Sequence, residues 1–201
     1  MYNYWERSGG FFEKIYMPLV TLPIEQENCE AVLQRIYELG DTSVIFSSNP
    51  DAFKYVIGEL VDNIYEHSGF KHAFVMAQKY SNLGFIELGF LDDGVTIPGS
   101  FRKYGWPYGR KEHYQAITDA IRGLSTKKEA GRGYGLDSSV KIFLELGGQV
   151  LVVSGYGAVY LDSQEMKCYR LTTKHRMAGT LISLRVRDIH KTVDIYKLLG
   201  G

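Results

Sequence analysis

Three polar residues recur every four positions in the segment Glu59-Leu-Val-Asp-Asn63-Ile-Tyr-Glu-His67. On a helix this spacing sets Glu59, Asn63 and His67 on one face, each a turn from the next. The amide oxygen of Asn63 suits a hard cation such as Mg²⁺, which prefers oxygen ligands and usually keeps waters and phosphate oxygens around it. Glu59, one turn earlier, can accept a proton from a water or hydroxyl attacking a γ-phosphate. His67 could neighbour a phosphate, or could simply satisfy the carbonyls and dipole at a helix end. An ordinary solvated helix face would carry the same line of residues. Asp62 and Glu66 point away from it and read as surface charges.

Three more segments carry recognisable chemistry. Asp92, followed by Asp93 and Gly94, closes the apolar run from Gly84 to Leu91. A carboxylate there can accept a hydrogen bond from the amino group of adenine, and Gly94 would let backbone approach the base where a Cβ would clash. A strand-ending acidic turn is the plainer alternative. Gly131-Arg-Gly133-Tyr-Gly135 stands before a helix. Backbone N–H groups and a helix N-terminus make an anion site suited to phosphates. It is not a dinucleotide fingerprint, which must follow a strand directly, nor a P-loop, which would end in Gly-Lys-Ser/Thr. Arg132, inside this segment, is the better candidate to meet triphosphate charge; Lys127 and Lys128 read as a solvated loop. Gly179-Thr180 precedes the apolar run Leu-Ile-Ser-Leu and offers a hydroxyl at its start.

In this order the four segments resemble the N, G1, G2 and G3 boxes of the GHKL superfamily, which includes gyrase-type ATPases, heat-shock chaperones, histidine kinases and mismatch-repair ATPases. The resemblance covers roughly residues 45 to 190. It implies a two-layer α/β sandwich, the Bergerat fold, with ATP held between the sheet, the helices and a mobile lid. It assigns adenine recognition to Asp92 rather than Asp93, and contact with the adenine ring, directly or through water, to Thr180. Gly94, Arg132, Gly133 and Gly135 complete the nucleotide site. The spacing Glu-x3-Asn-x3-His looks more like serine kinases of the anti-sigma-factor type than like sensor histidine kinases. It thereby implies Glu59 as general base and Asn63 as the Mg²⁺ ligand. The family pattern at the second segment is Asp-x-Gly-x-Gly; this chain has Thr96 at the second glycine.

The elements that must position these residues follow from periodicity. Ile15 to Leu22 reads as a strand, and Pro18 within it suggests a sheet edge. Glu25 to Leu39 has helical spacing (Cys29, Val32, Leu33, Ile36) and stops at Gly40. Ser43 to Phe46 reads as a short strand. Asn49-Pro50 suits a helix start, with Asn49 as N-cap. That helix runs to Ser68-Gly69 on an apolar stripe of Phe53, Ile57, Leu60, Val61 and Ile64. His72 to Tyr80 and Gly84 to Leu91 read as a hairpin, and Pro98 to Gly109 as a loop. Helices are expected over Glu112 to Gly123, from Gly135 to Gly147, and over Ile189 to Leu199. Strands are expected over Val150 to Ser154, Gly157 to Asp162, Glu165 to Thr172 and Thr180 to Val186. The pattern is α+β, with a largely antiparallel sheet covered by helices on one face.

Bulk properties narrow the partners. The chain has 201 residues, which suits one domain: a core at about 45–190 with a strand and helix extension over 1–44. Lys+Arg and Asp+Glu balance at 23 each, so no global field draws the protein to nucleic acid or an acidic membrane. Two cysteines, Cys29 and Cys168, fit neither a zinc pattern nor a disulfide framework. The start of the chain lacks the features of a signal peptide, and no run is long enough to span a bilayer. These traits read as a soluble, cytoplasmic protein. Residues 1–15 carry aromatics that could pack on a partner or neighbouring subunit, or cover the core.

The expectation is a Mg²⁺-dependent ATP-binding domain that hydrolyses ATP or transfers its γ-phosphate to a protein partner, in the manner of an anti-sigma-like serine/threonine kinase. The alternatives are a nucleotide-gated protein-binding module without catalysis, or a detached histidine-kinase catalytic domain. A homodimer is compatible with either.

Overall fold

The structure, a computed structural model, describes residues 16–40, 43–106, 108–124 and 135–199. Expectations for residues 1–15 and for 125–134, Lys127, Lys128, Arg132 and Gly133 among them, lie outside the described residues.

The chain enters an antiparallel sheet at its edge. Strand β1 (Tyr16–Thr21) stands at one end of the strand order, and its register shifts between Met17 and Val20, across Pro18. A proline cannot donate to a ladder, so an irregular edge strand accommodates it. The following helix forms later than the spacing suggests. A 3₁₀ turn, Gln26–Asn28, precedes α1 (Glu30–Gly40). The segment expected as a strand at Ser43 to Phe46 is instead a single helical turn, α2 (Val44–Ser47). Ser43 decides this: its hydroxyl accepts from the Phe46 N–H at 3.2 Å and caps the turn.

Helix α3 (Pro50–His67) buries Phe53, Ile57, Leu60, Val61 and Ile64, the apolar stripe expected of it, and Ala52 and Val56 besides. Pro50 takes the first turn, where its missing N–H costs nothing. Asn49 occupies the N-cap position but does not cap. Its Nδ2 donates to the carbonyls of Ile45 (2.9 Å) and Lys191, and its Oδ1 accepts from the Val193 N–H at 2.9 Å. Asn49 therefore ties the segment after the last strand to the α2–α3 corner, a partnership more than 140 residues away that no local pattern reveals.

The sheet has seven strands in the order β1-β2-β3-β7-β4-β5-β6, and every neighbouring pair is antiparallel. The hairpin β2 (Ala73–Tyr80) and β3 (Phe85–Asp92) forms as its alternation implies. Strands β4 (Gln149–Gly155), β5 (Gly157–Leu161), β6 (Met166–Arg170) and β7 (Met177–Arg187) build the other half. The last strand returns to the middle, between β3 and β4. Alternate residues of one face are buried: Val75 and Ala77, Leu88 and Phe90, Leu184 and Val186, Val150 and Val152. They share one core with the apolar stripes of α1 and α3, and with those of α5 (His113–Ile121) and α6 (Gly135–Glu145). The protein is thus α+β, a helical layer on one face of an antiparallel sheet. The other face carries polar pairs such as Arg185–Glu87 at 2.9 Å.

Two more segments differ from expectation. The Pro98 to Gly109 loop contains helix α4 (Ile97–Lys103), capped by the Thr96 hydroxyl, which accepts from the Gly99 N–H at 3.1 Å. Of the expected final helix only α7 (Ile195–Leu198) forms. Among the described residues no helix is long and apolar enough to cross a membrane.

Phe53 joins three helices. Its ring stacks on Phe46 of α2 at 3.5 Å between centroids and meets Phe143 of α6 edge-on at 5.8 Å. Phe53→Ala should cost about 3–5 kcal/mol, the range for a large ring removed from a packed core. Urea unfolding at constant m-value would measure it.

Candidate functional site

Asp92 is the last residue of β3, opposite Thr180 of β7. It is 5% exposed. Burial pushes its pKa up to about 6; the Gly94 N–H bonded to its Oδ1 at 2.8 Å opposes that, the charge of Asp93 adds to it, and the Thr180 N–H again opposes it. The result is a carboxylate still ionised at neutral pH but scarcely solvated, ready to accept a hydrogen bond from a ligand. Asp93 does something else. It is exposed, and its carboxylate accepts from the N–H groups of His72 (2.9 Å) and Lys71 (2.8 Å) and pairs with the His72 ring at 2.7 Å. Bonds from His72 above all hold its pKa down to about 2. Asp93 fastens a turn; Asp92 faces a cleft.

The backbone around Asp92 is too close-packed for side chains. A Cβ on Gly94 would fall 2.3 Å from the Ser68 carbonyl oxygen, at the end of α3. The neighbouring Val95 N–H donates to that same oxygen at 2.7 Å. Gly179 has φ +88°, and a Cβ there would lie 2.0 Å from the Asp92 carbonyl oxygen. The Gly-Thr pair is therefore a steric requirement: only glycine lets β7 pass Asp92 and deliver Thr180 beside it. Thr96 stands where the resemblance has a second glycine, but its φ of −66° is ordinary and its hydroxyl starts α4. No glycine is needed at that point.

Thr180 is 8% exposed, and its hydroxyl lies 3.0 Å from that of Ser154 at the end of β4. Ser154 donates its own proton to the Gly179 carbonyl (3.2 Å) and accepts from the Ile97 N–H (2.9 Å). Either hydroxyl of the pair can be the donor; with the Ser154 proton on the Gly179 carbonyl, Thr180 donates to Ser154 and keeps its oxygen lone pairs for a ligand. Sequence reasoning missed Ser154. It ends an apolar strand like many serines, and only the pairing of β4 with β7 brings it to Thr180.

The other end of the cleft is made by helices. Gly135 is the first residue of α6, and a Cβ on it would lie 2.6 Å from Glu59 Oε2 and 3.0 Å from Asn63 Nδ2. Glu59 and Asn63, one turn apart on α3, thus both abut the backbone at the start of α6, where N–H groups and the dipole favour anions. Asn63 Nδ2 is buried and has no hydrogen-bond partner among the described residues, an arrangement that suits a polar ligand supplied from outside. Asp137, in the first turn of α6, is buried and neutralised by Lys141 at 2.8 Å. His67 lines the same cleft further along α3.

Both ends belong to one cleft enclosing roughly 810 Å³, part of it open to solvent. Leu60, Ile64, Ile97, Phe101, Leu136 and Ile182 give it apolar walls; Asn63, Asp92, Gly135 and Thr180 line it among them. Gly94 does not line it but packs against Ser68 at the end of α3, and Glu59 sits beside Gly135. Arg132 and Gly133 belong to the segment outside the described residues. Among the described residues there is no cluster of three or more His, Cys, Asp or Glu that could hold a metal ion by itself. A cation could sit here only as one shared between the Asn63 amide oxygen, waters and a bound anion; the unpartnered Nδ2 is a donor and suits the anion.

The raised pKa of Asp92 gives a pH dependence with a definite sign. A ligand amino group that donates to Asp92 requires the ionised carboxylate, so the affinity of such a ligand should fall about tenfold per pH unit below about 6 and level off above it. The empty protein behaves oppositely. Its folded state holds a proton that the unfolded chain, with its Asp near 3.8, has released, so this contribution to stability is present at low pH and lost as pH rises through about 6. With ADP, the ligand expected from the sequence, as the probe, Asp92→Asn should bind about 10–100-fold more weakly than the parent and show no such pH step. Calorimetry across pH 5 to 8 tests both, and equal affinity in mutant and parent would remove Asp92 from the site. Compared with known proteins, the chain matches no family model and no curated sequence.

Proposed function

We propose that this protein is a GHKL-type, Mg²⁺-dependent ATP-binding domain that transfers the γ-phosphate of ATP to a serine or threonine of a protein partner, or to water. The observation that carries this reading is the convergence of Glu59 and Asn63 on the Gly135 backbone, in the same cleft as the Asp92–Thr180 pair. Acid–base and anion-binding groups then lie at one end, and a buried acceptor for an amino group at the other.

The adenine amino group donates to Asp92, and the lone pairs of Thr180 take a second donor directly or through water. The apolar walls cover the base, where removal from water stabilises it. The triphosphate runs toward α6, whose first N–H groups and dipole meet its charge. Mg²⁺, when bound, would neutralise phosphate charge through the Asn63 amide oxygen and waters. Glu59 takes the proton of the attacking hydroxyl. A bond forms between that hydroxyl oxygen and the γ-phosphorus, the bond from γ-phosphorus to the bridging oxygen breaks, and ADP leaves. The Asn63 amide fixes the phosphate end by its position rather than by charge.

Asn63→Ala should bind ATP with the same affinity in the presence and absence of Mg²⁺, while the parent binds more tightly with it; equal Mg²⁺ enhancement in both would place the ligand elsewhere. Glu59→Gln keeps the size of the side chain but cannot take a proton. It should bind ATP nearly as the parent does and lose turnover by roughly 10²–10⁴-fold. Single-turnover incubation with labelled ATP, with and without candidate partners, is the assay. A parent with no turnover and no phosphotransfer, but with partner binding that responds to ATP, would make the protein a nucleotide-gated binding module instead.

A further inference from the structure

Outside the cleft, the turn Gly155-Tyr156-Gly157 between β4 and β5 is pressed onto the start of α5. A Cβ on Gly155 (φ +62°) would lie 2.3 Å from His113 Nδ1, and one on Gly157 would lie 2.5 Å from the Tyr114 nitrogen. Neither position has room for a side chain, and the closeness lets the Tyr156 N–H donate to His113 Nδ1 at 3.0 Å. With Nδ1 accepting, the proton of a neutral imidazole sits on Nε2. Burial first, then the charges of Arg102, Arg176 and Arg110, push the pKa of His113 down, so neutral is the form it takes. Its Nε2 is buried in a residue only 6% exposed, and has no hydrogen-bond partner among the described residues. A buried donor without an acceptor is costly unless something brings one.

The surroundings are cationic. The Tyr156 ring meets His113 edge-on at 5.4 Å, and carries the guanidinium of Arg110 at 5.3 Å and that of Arg176 at 5.8 Å. Arg170 lies 5.5 Å over the adjacent Tyr114 ring. These arginines come from the 3₁₀ turn Arg110–Glu112, the residue before β7 and the end of β6, and all are exposed. Among the described residues none is in an ion pair with a carboxylate. A chain of zero net charge has gathered unpaired guanidiniums around two tyrosine rings.

From this convergence of Arg110 and Arg176 on the Tyr156 ring, whose turn His113 anchors through Nδ1, we infer an oxyanion-binding surface that docks an acidic segment of a partner protein, through its carboxylates or a phosphorylated side chain. Guanidinium forks match either group bidentately, and stacking on tyrosine pre-orients them. The compactness of the cluster and the neutral chain favour a short acidic segment over a nucleic acid, which draws its affinity from a long track of phosphates. The inference does not depend on the nucleotide reading of the cleft.

Fluorescence anisotropy with three labelled probes tests it: a glutamate-rich peptide, the same peptide carrying one phosphoserine, and a single-stranded DNA oligonucleotide. At least one peptide should bind the full chain, with salt-dependent affinity, and the pair separates carboxylate from phosphate recognition. Arg110→Ala/Arg176→Ala should weaken peptide binding about tenfold or more. Arg110→Lys/Arg176→Lys keeps the charge but loses the fork and should be weakened as well. Thermal melts check that both variants fold; should the alanine pair not fold, the lysine pair decides. The side-chain Nε–H resonances of Arg110 and Arg176 should move when peptide binds. Absence of peptide binding, binding indifferent to the folded variants, arginine signals that do not respond, or tighter binding of the DNA would each overturn the proposal.

Discussion

Asp92 ends a strand where water scarcely reaches its carboxylate, and much of the cleft's architecture meets at that group. Desolvation pushes it toward the neutral form. The N–H groups of Gly94 and Thr180 oppose that, and both must come within bonding distance of the end of one strand. Thr180 arrives because the last strand returns to the centre of the sheet beside β3. Gly94 arrives because the loop after β3 is laced to the end of α3 through the Ser68 carbonyl. The sheet topology and the helix–loop contact are therefore two halves of one electrostatic arrangement.

The glycines of the site mark where main chains must pass without side chains between them. At Gly94 a loop meets a helix end, at Gly179 two strands cross closely, and at Gly135 a helix start meets two side chains of another helix. In each case the intruding Cβ would strike backbone or a proposed functional group, so these positions are specified by contact rather than by flexibility. Gly135 is the most telling. It is the nearest approach between the proposed base, the proposed metal ligand and the helix end suited to phosphate.

What could be read in the sequence was local or periodic. The stripe of α3 and the alternation of β2 and β3 are repeated many times over, so their signals are strong. Glu59 and Asn63 were placed on one face by the same period. The misread segments lacked any period. Four residues at Val44–Ser47 cannot display one, and α4 is a seven-residue helix whose start depends on a threonine cap amid proline and glycine. Other features depend on partners far along the chain. Asn49 bonds to residues 191 and 193, Ser154 reaches Thr180 through a strand pairing, and His113 meets Tyr156 across 43 positions. No spacing rule connects such residues before the fold does.

Ser154 shows how separate parts of the molecule are joined. One hydroxyl holds the Ile97 N–H at the start of α4, the Gly179 carbonyl and the Thr180 hydroxyl. The helix that walls the cleft is thus anchored to the strand that presents Thr180. The next residues of the same strand, Gly155 and then the turn at Tyr156, are pressed against the start of α5 and carry the arginine-covered ring. Within three residues the chain passes from the buried support of Thr180 to the exposed cationic surface. Arg102, whose charge is felt at His113, lies on α4 itself. The cleft and the cationic surface consequently share the end of β4 and one wall helix. Packed elements shift as units rather than atom by atom, so a displacement of α4 by an occupant on either side would have to be accommodated at Ser154.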